Sequence, residues 1–177
     1  MKRRPNSKVL KIAILAIFLM VVPATRASDE ADVRGMVQAI FQQLKARDYT
    51  ALYESLPSTS RSRMTRDTFT NALKKAQDMY VLERMNVGPV RVVNDLAVVD
   101  TVIYGRLVIP FESEGKIVVQ QYLVREDGKW RVATGNRGII KRFLASNPSF
   151  ARRFPLREPR IYVKQKGNWV EFRPGRS

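Results

Sequence analysis

The hydrophobic period changes once along this chain, and that change decides what it can fold into. From Asp29 to Asp48 the apolar residues Val33, Met36, Val37, Ile40, Phe41 and Leu44 recur at three-and-four spacing, which places them on one face of a helix. From Tyr80 onward the sequence turns to runs rich in Val, Ile and Tyr, such as Leu96 to Phe111 (LAVVDTVIYGRLVIPF), which read as strands. Helices first and strands after argue an α+β architecture.

Local signals refine that division. Ser28 is placed to cap the first helix, with Asp29, Glu30 and Asp32 in the first turn, where the helix dipole favours negative charge. Asp48 is placed to cap a second helix, Tyr49 to Leu56, which Pro57 closes. Ser58-Thr59-Ser60 reads as polar punctuation, and Thr65 as the cap of a third helix, Arg66 to Asp78. Four strands follow: Tyr80–Val93 with a bulge or edge signal at Gly88-Pro89, Leu96–Phe111 with a bend at Gly105, Ile117–Glu126, and Lys129–Thr134 closing the sheet. Asn94-Asp95, Glu112 to Lys116 and Asp127-Gly128 are the expected turns, so the strands form an antiparallel meander.

Ahead of this unit lies a segment with the three zones of an export signal. Lys2, Arg3, Arg4, Lys8 and Lys11 make a positive start, Ile12 to Val22 an unbroken apolar run, and Thr25 and Ala27 supply the small residues a signal peptidase needs. As a helix the run spans roughly 16 Å against a hydrocarbon core of about 30 Å, too short to cross comfortably. The sequence thus divides into a signal at 1–27, an α+β domain at 28–136 and a basic extension at 137–177. Export and the absence of cysteine suit a bacterial periplasm or exterior. With neither cysteine nor histidine, disulfides, the usual zinc sites, thiol nucleophiles and histidine bases are excluded. No cofactor is implied.

The formal charge of +16 is segregated: +6 lies in 1–27, +1 in 28–136 and +9 in 137–177. Solubility alone needs no such asymmetry. In the last segment Lys141, Arg142, Arg152, Arg153, Arg157, Arg160, Lys164 and Lys166 interleave with Phe143, Phe150, Phe154, Tyr162, Trp169 and Phe172. Such a pattern suits an anionic surface, and outside the cytoplasm the available polyanions are phospholipid headgroups, lipopolysaccharide or wall polymers rather than nucleic acid. The alternative is that the aromatics dock the tail on the body and leave a solvated basic face. A short helix around Ile139, Ile140, Phe143 and Leu144 and a hairpin, Arg160–Gln165 with Asn168–Phe172 about Lys166-Gly167, make up this appendage. The hairpin edge could pair with a partner or with a second copy in a homo-oligomer.

Residues 29–134 resemble the nuclear transport factor 2-like superfamily. The carriers are the long first helix ending in Ala46-Arg47-Asp48-Tyr49-Thr50-Ala51-Leu52-Tyr53, the break at Ser58-Thr59-Ser60, and the Asp127-Gly128-Lys129-Trp130-Arg131-Val132 strand. The resemblance implies three helices packed on a strongly curved antiparallel sheet that encloses a conical pocket. It implies no activity, because members include isomerases, dehydratases, cyclases and catalytically silent binding modules.

Two function classes follow. One is a non-catalytic binding or accessory module of the envelope, using the pocket for a small apolar ligand or the basic face for an anionic surface. The other is a small-molecule isomerase or dehydratase. Asp100 and Tyr104 are four apart on a strand and share a face with Arg106, so an Asp100 carboxylate in apolar surroundings could abstract a proton beside a tyrosine hydroxyl. The same three residues equally suit a solvent face with cross-strand pairing. Tyr80 and Tyr122 are candidates for the pocket mouth or for half-buried strand positions, and Trp130 for the core beneath the helices. Gly135-Asn136-Arg137-Gly138 lacks the trailing residues of a phosphate loop.

Overall fold

A computed structural model of the chain describes residues 24–108, 112–133 and 137–172, and side chains from residue 28 onward. The expected signal, apart from its last residues, lies outside them, as do Gly135-Asn136 and the extreme C-terminus. The fold is α+β with an antiparallel sheet. Helices α1 (Ala24–Lys45), α2 (Tyr49–Glu54), α3 (Ser58–Arg61) and α4 (Arg66–Gln77) precede strands β1 (Tyr80–Val93), β2 (Leu96–Leu107), β3 (Ser113–Glu126) and β4 (Lys129–Val132). Helices α5 (Arg137–Ser146) and α6 (Pro148–Arg153) then lead to β5 (Arg160–Gln165) and β6 (Asn168–Phe172).

Caps form where hydroxyl and carboxylate side chains precede helical runs. Asp48 accepts from the Ala51 amide at 3.0 Å, and Thr65 accepts from that of Thr68 at 3.2 Å. Ser28 does not cap: α1 runs on to Ala24, because no helix breaker stands between that residue and Ser28. Asp29, Glu30 and Asp32 therefore lie beyond the first turn. The polar stretch at Ser58 is a single helical turn rather than a plain break. Its first amide is held by Glu126, whose Oε2 accepts from Ser58 N at 2.9 Å.

The sheet runs β1-β2-β3-β5-β6, with β4 also paired to β3. β3 is long enough to serve two partners on one edge: Leu123–Glu126 pair with β4, and Gly115–Val118 with β5. The meander thus does not close at β4, and the basic C-terminal hairpin is part of the same sheet rather than an appendage to it. β3 also begins before the expected position. Of the turn expected over Glu112 to Lys116, Ser113 to Lys116 belong to the strand, with Glu114 and Lys116 opposite Arg106 and Tyr104. At the bulge signals the expectation holds, with register shifts between Val87 and Val90, flanking Gly88-Pro89, and between Leu82 and Arg84, opposite the Gly105 bend. Asp127-Gly128 and Lys166-Gly167 turn with positive φ at both residues (50° and 72°, 49° and 83°), as tight hairpins demand.

Strand alternation sends side chains to two cores. On one face Val33 and Val37 of α1 pack on Val90, Ala97, Val99, Leu123, Trp130 and Val132. On the other, Ile140, Leu144 and Phe150 from α5 and α6 cover Val98, Tyr122 and Ala133. Each fully buried Val or Leu contributes about 1.5–3 kcal/mol. The C-terminal segment therefore supplies half of a hydrophobic core. Among the described residues no helix is long and apolar enough to cross a membrane.

Candidate functional site

Between the first four helices and the sheet lies an apolar cavity of about 580 Å³, within the ordinary range for small-molecule sites. α1 contributes Ile40, Phe41 and Leu44, α4 contributes Phe69, Leu73 and Ala76, and the sheet closes the space with Met85, Ile103 and Val119. Alternation makes Ile103 the sheet's contribution while Tyr104 points the other way.

The polar groups at the wall are few. The Ser55 hydroxyl is turned back onto the Leu52 carbonyl at 2.6 Å, and Gln121 Nε2 donates to Thr101 Oγ1 at 3.2 Å. Ser60 is the third polar lining residue. Among the described residues no Asp, Glu, Lys, Arg or Tyr lines the cavity. Tyr49 and Gln77 tie the helices together near one end, with the Tyr49 hydroxyl donating to Gln77 Oε1 at 2.7 Å and Gln77 Nε2 to the Leu44 carbonyl at 2.6 Å.

The proposed catalytic pair lies elsewhere. Asp100 and Tyr104 do share a face, but it is the face opposite the cavity, the one Val98 and Tyr122 share under α5 and α6. Asp100 Oδ2 accepts from Arg91 Nη2 at 2.6 Å, and its Oδ1 accepts from Gln120 Nε2 at 3.1 Å and lies 4.0 Å from Arg157 Nη1. Tyr104 lies beneath Arg84, whose guanidinium carbon is 3.4 Å from the ring centroid, and edge-on to Trp169 at 6.3 Å. The Asp100 carboxylate is thus engaged by two guanidinium groups and an amide on the far side of the sheet, out of reach of a ligand in the cavity. The role of proton-abstracting base in the pocket is corrected to that of a cross-strand tie.

Tyr80 and Tyr122 do not line the cavity either. Tyr122 is fully buried in the second core, its hydroxyl shared between Gln120 Oε1 at 3.0 Å and the Pro155 carbonyl at 3.2 Å. Burial pushes the Tyr122 hydroxyl pKa up, an effect opposed by Arg157, reinforced by Asp100 and opposed again by Arg91. Tyr80 is raised too, by burial first and then by Tyr49. Trp130 is in the core as expected, with the Arg125 guanidinium stacked 4.5 Å from its ring centroid.

The basic side chains of the last segment are all exposed: Lys141, Arg142, Arg152, Arg153, Arg157, Arg160, Lys164 and Lys166. Lys164 pairs with Glu114 at 2.9 Å, and Arg153 stacks on Phe154 at 5.3 Å. Among the described residues Lys141, Arg142, Arg160 and Lys166 have no ion-pair partner. The aromatics do dock the tail: Phe143 and Phe150 pack on Tyr122, with ring centroids 5.9 and 6.4 Å away. Among the described residues no cluster of metal-ligating side chains converges.

What the sequence did not reveal is a second hollow beside the first. A groove of about 380 Å³ lies between the α3 segment and α5, lined among others by Arg63, Glu126 and Arg142. No local motif signals it, because its walls come from residues far apart in the chain.

Fold and cavity together define an α+β protein whose sheet carries helices on both faces and an apolar hollow on one. No family model and no curated protein matches the chain. Among solved structures it is similar to a SEC-C motif containing protein from Rhodopseudomonas palustris (11% identity, 57% of this chain and 74% of that one, TM-score 0.47). It is also similar to an NTF2-like protein from Campylobacter jejuni (14% identity, 57% and 96%, TM-score 0.40) and to one from Cytophaga hutchinsonii (16%, 56% and 88%, 0.41).

Proposed function

We propose that this chain is a non-catalytic binding module that takes a small apolar ligand into the cavity beneath its N-terminal helices. The observation that carries the reading is the cavity wall itself: a hollow of about 580 Å³ with no ionisable side chain on it among the described residues. General acid–base catalysis needs a titratable group within hydrogen-bond reach of the reacting atom, and this lining offers none. Burial of carbon against carbon is what such a wall does well, at about 25 cal/mol for each Å² removed from water.

The test is a titration of the full chain with Nile red, a neutral dye that brightens in apolar surroundings. Saturable brightening at one site is expected, abolished by Ala76→Trp, which fills the hollow from α4, with helical content retained. A folded Ala76→Trp variant that still binds the dye with native affinity overturns the assignment.

A second reading is favoured by the exposed and partly unpaired cations of the last segment. In that reading the basic face holds the module near an anionic boundary, and the export segment at 1–27 delivers it to the envelope, where phospholipid, lipopolysaccharide and wall polymers supply the charge. The two readings are compatible, because Ile139 is the one residue of the C-terminal segment that lines the cavity among the described residues, and the basic side chains of that segment stand outside it.

A further inference from the structure

The apolar cavity and the groove lie side by side. Ser60, Met64 and Ile139 line both, so these side chains form a wall that the two spaces share. One end is carbon-lined. The other carries two guanidinium groups, Arg63 and Arg142, both exposed and both without an ion-pair partner among the described residues. The one carboxylate in the groove among the described residues, Glu126, is already engaged: its Oε2 accepts from Ser58 N at 2.9 Å and its Oε1 from Ser58 Oγ at 3.1 Å. Net positive charge thus faces the mouth of an otherwise uncharged pocket.

We infer that cavity and groove hold one ligand, a single-chain amphiphile with an anionic head. Its chain lies under α1 and α4, and its head sits between Arg63 and Arg142. This rests on the apolar-ligand reading above and adds the head group to it. The chemistry is complementary at both ends. A neutral chain finds a wall with no charge to desolvate, and a carboxylate or phosphate finds guanidinium donors suited to planar, bidentate contact. A cationic head would meet like charge at that mouth, and a neutral head would gain only ordinary hydrogen bonds.

The probes share one chain and differ in the head: dodecanoate, dodecyl phosphate, dodecanol and dodecyltrimethylammonium, each titrated calorimetrically into the full chain below its micelle concentration. Both anions are expected to bind at least about tenfold tighter than dodecanol, the size of one charge-assisted contact. The tighter of the two anions identifies the head as carboxylate or phosphate. Arg63→Gln with Arg142→Gln is expected to bring both anions down to the dodecanol affinity while leaving dodecanol unchanged. These positions are exposed, so circular dichroism should match the native chain. Because the contact is ionic, the preference of the native chain should also shrink as salt rises. Equal affinities for anion and alcohol, or a preference that survives the double substitution, overturn the head-group inference and leave the cavity reading standing. Failure of all four probes to bind overturns both.

Discussion

Asp100 and Arg91 face each other diagonally across β1 and β2, with carboxylate Oδ2 and guanidinium Nη2 at 2.6 Å, on the side of the sheet away from the cavity. Both are about two-thirds removed from solvent, with side-chain exposures of 28% and 32%. Gln120 links the pair to Tyr122, and the Tyr122 hydroxyl reaches the Pro155 carbonyl at 3.2 Å. The network runs from the edge strand through the middle of the sheet to the segment that follows α6. It fastens the C-terminal part of the chain onto the body.

If that is its role, Asp100→Asn should cost stability and spare binding. Loss of the charge weakens the hydrogen bonds to Arg91 and Gln120, worth about 1–3 kcal/mol where one partner stays partly buried. The expected outcome is a lower denaturant midpoint with Nile red affinity unchanged under native conditions. A folded variant with native stability but weakened dye binding would return Asp100 to the cavity.

Tyr122 makes stability sensitive to alkali. Its folded pKa is raised above the ordinary 10.0, first by burial. Below that value both folded and unfolded chains hold the proton, and the contribution is fully present. As pH rises past it the unfolded chain ionises while the folded one resists, so stability falls. Tyr80 acts in the same direction. Chemical denaturation from neutral to strongly alkaline pH should show this decline, and Tyr122→Phe should make it shallower while lowering the neutral-pH baseline through its lost hydroxyl. An unchanged slope in that variant would show that the hydroxyl is not held in its neutral form.

Gly105 allows β1 to bend over β2. A Cβ placed there would stand 2.5 Å from the Val81 carbonyl oxygen, which is backbone and cannot step aside. Gly105→Ala should therefore destabilise by about 1–3 kcal/mol, the usual cost of overpacking. Gly128→Ala is a useful contrast, since that position has open space and only its φ of 72° opposes a side chain. Thermal melts of the two variants separate steric conflict from backbone strain.

Much of this architecture was legible before any coordinates. Period and caps located α2, α4, β1 and the Asp127-Gly128 turn, because each depends on residues within a few positions of one another. Sidedness was not legible. That Asp100 and Tyr104 share a face follows from alternation, but which face meets the helices depends on where α1 packs, a long-range fact. The strand start at Ser113 was hidden for a related reason. Glu114 and Lys116 look like turn residues until Lys164 and Tyr162 from β5 stand beside them, with Lys164 Nζ 2.9 Å from Glu114 and Lys116 Nζ 5.1 Å from the Tyr162 ring centroid. The groove at Arg63 and Arg142 joins positions from opposite ends of the domain, which no local pattern announces.

The proposed attraction of the basic face for anionic membranes has to be tested by substitution rather than truncation. Removing 137–177 would strip β5 from the edge of β3 and uncover Val98 and Tyr122, both fully buried beneath α5 and α6. Lost retention would then report unfolding. Lys141, Arg152, Arg160 and Lys166 are exposed and outside any ion pair among the described residues, so changing all four to Gln removes charge and leaves both cores intact. Each is worth about 1 kcal/mol near an anionic surface at modest salt, roughly fivefold in retention. The full chain should bind vesicles containing phosphatidylglycerol with an affinity that falls as salt rises, and the fourfold variant should bind far more weakly with an unchanged melt. Equal retention by the two would leave these cations as ordinary solvated surface.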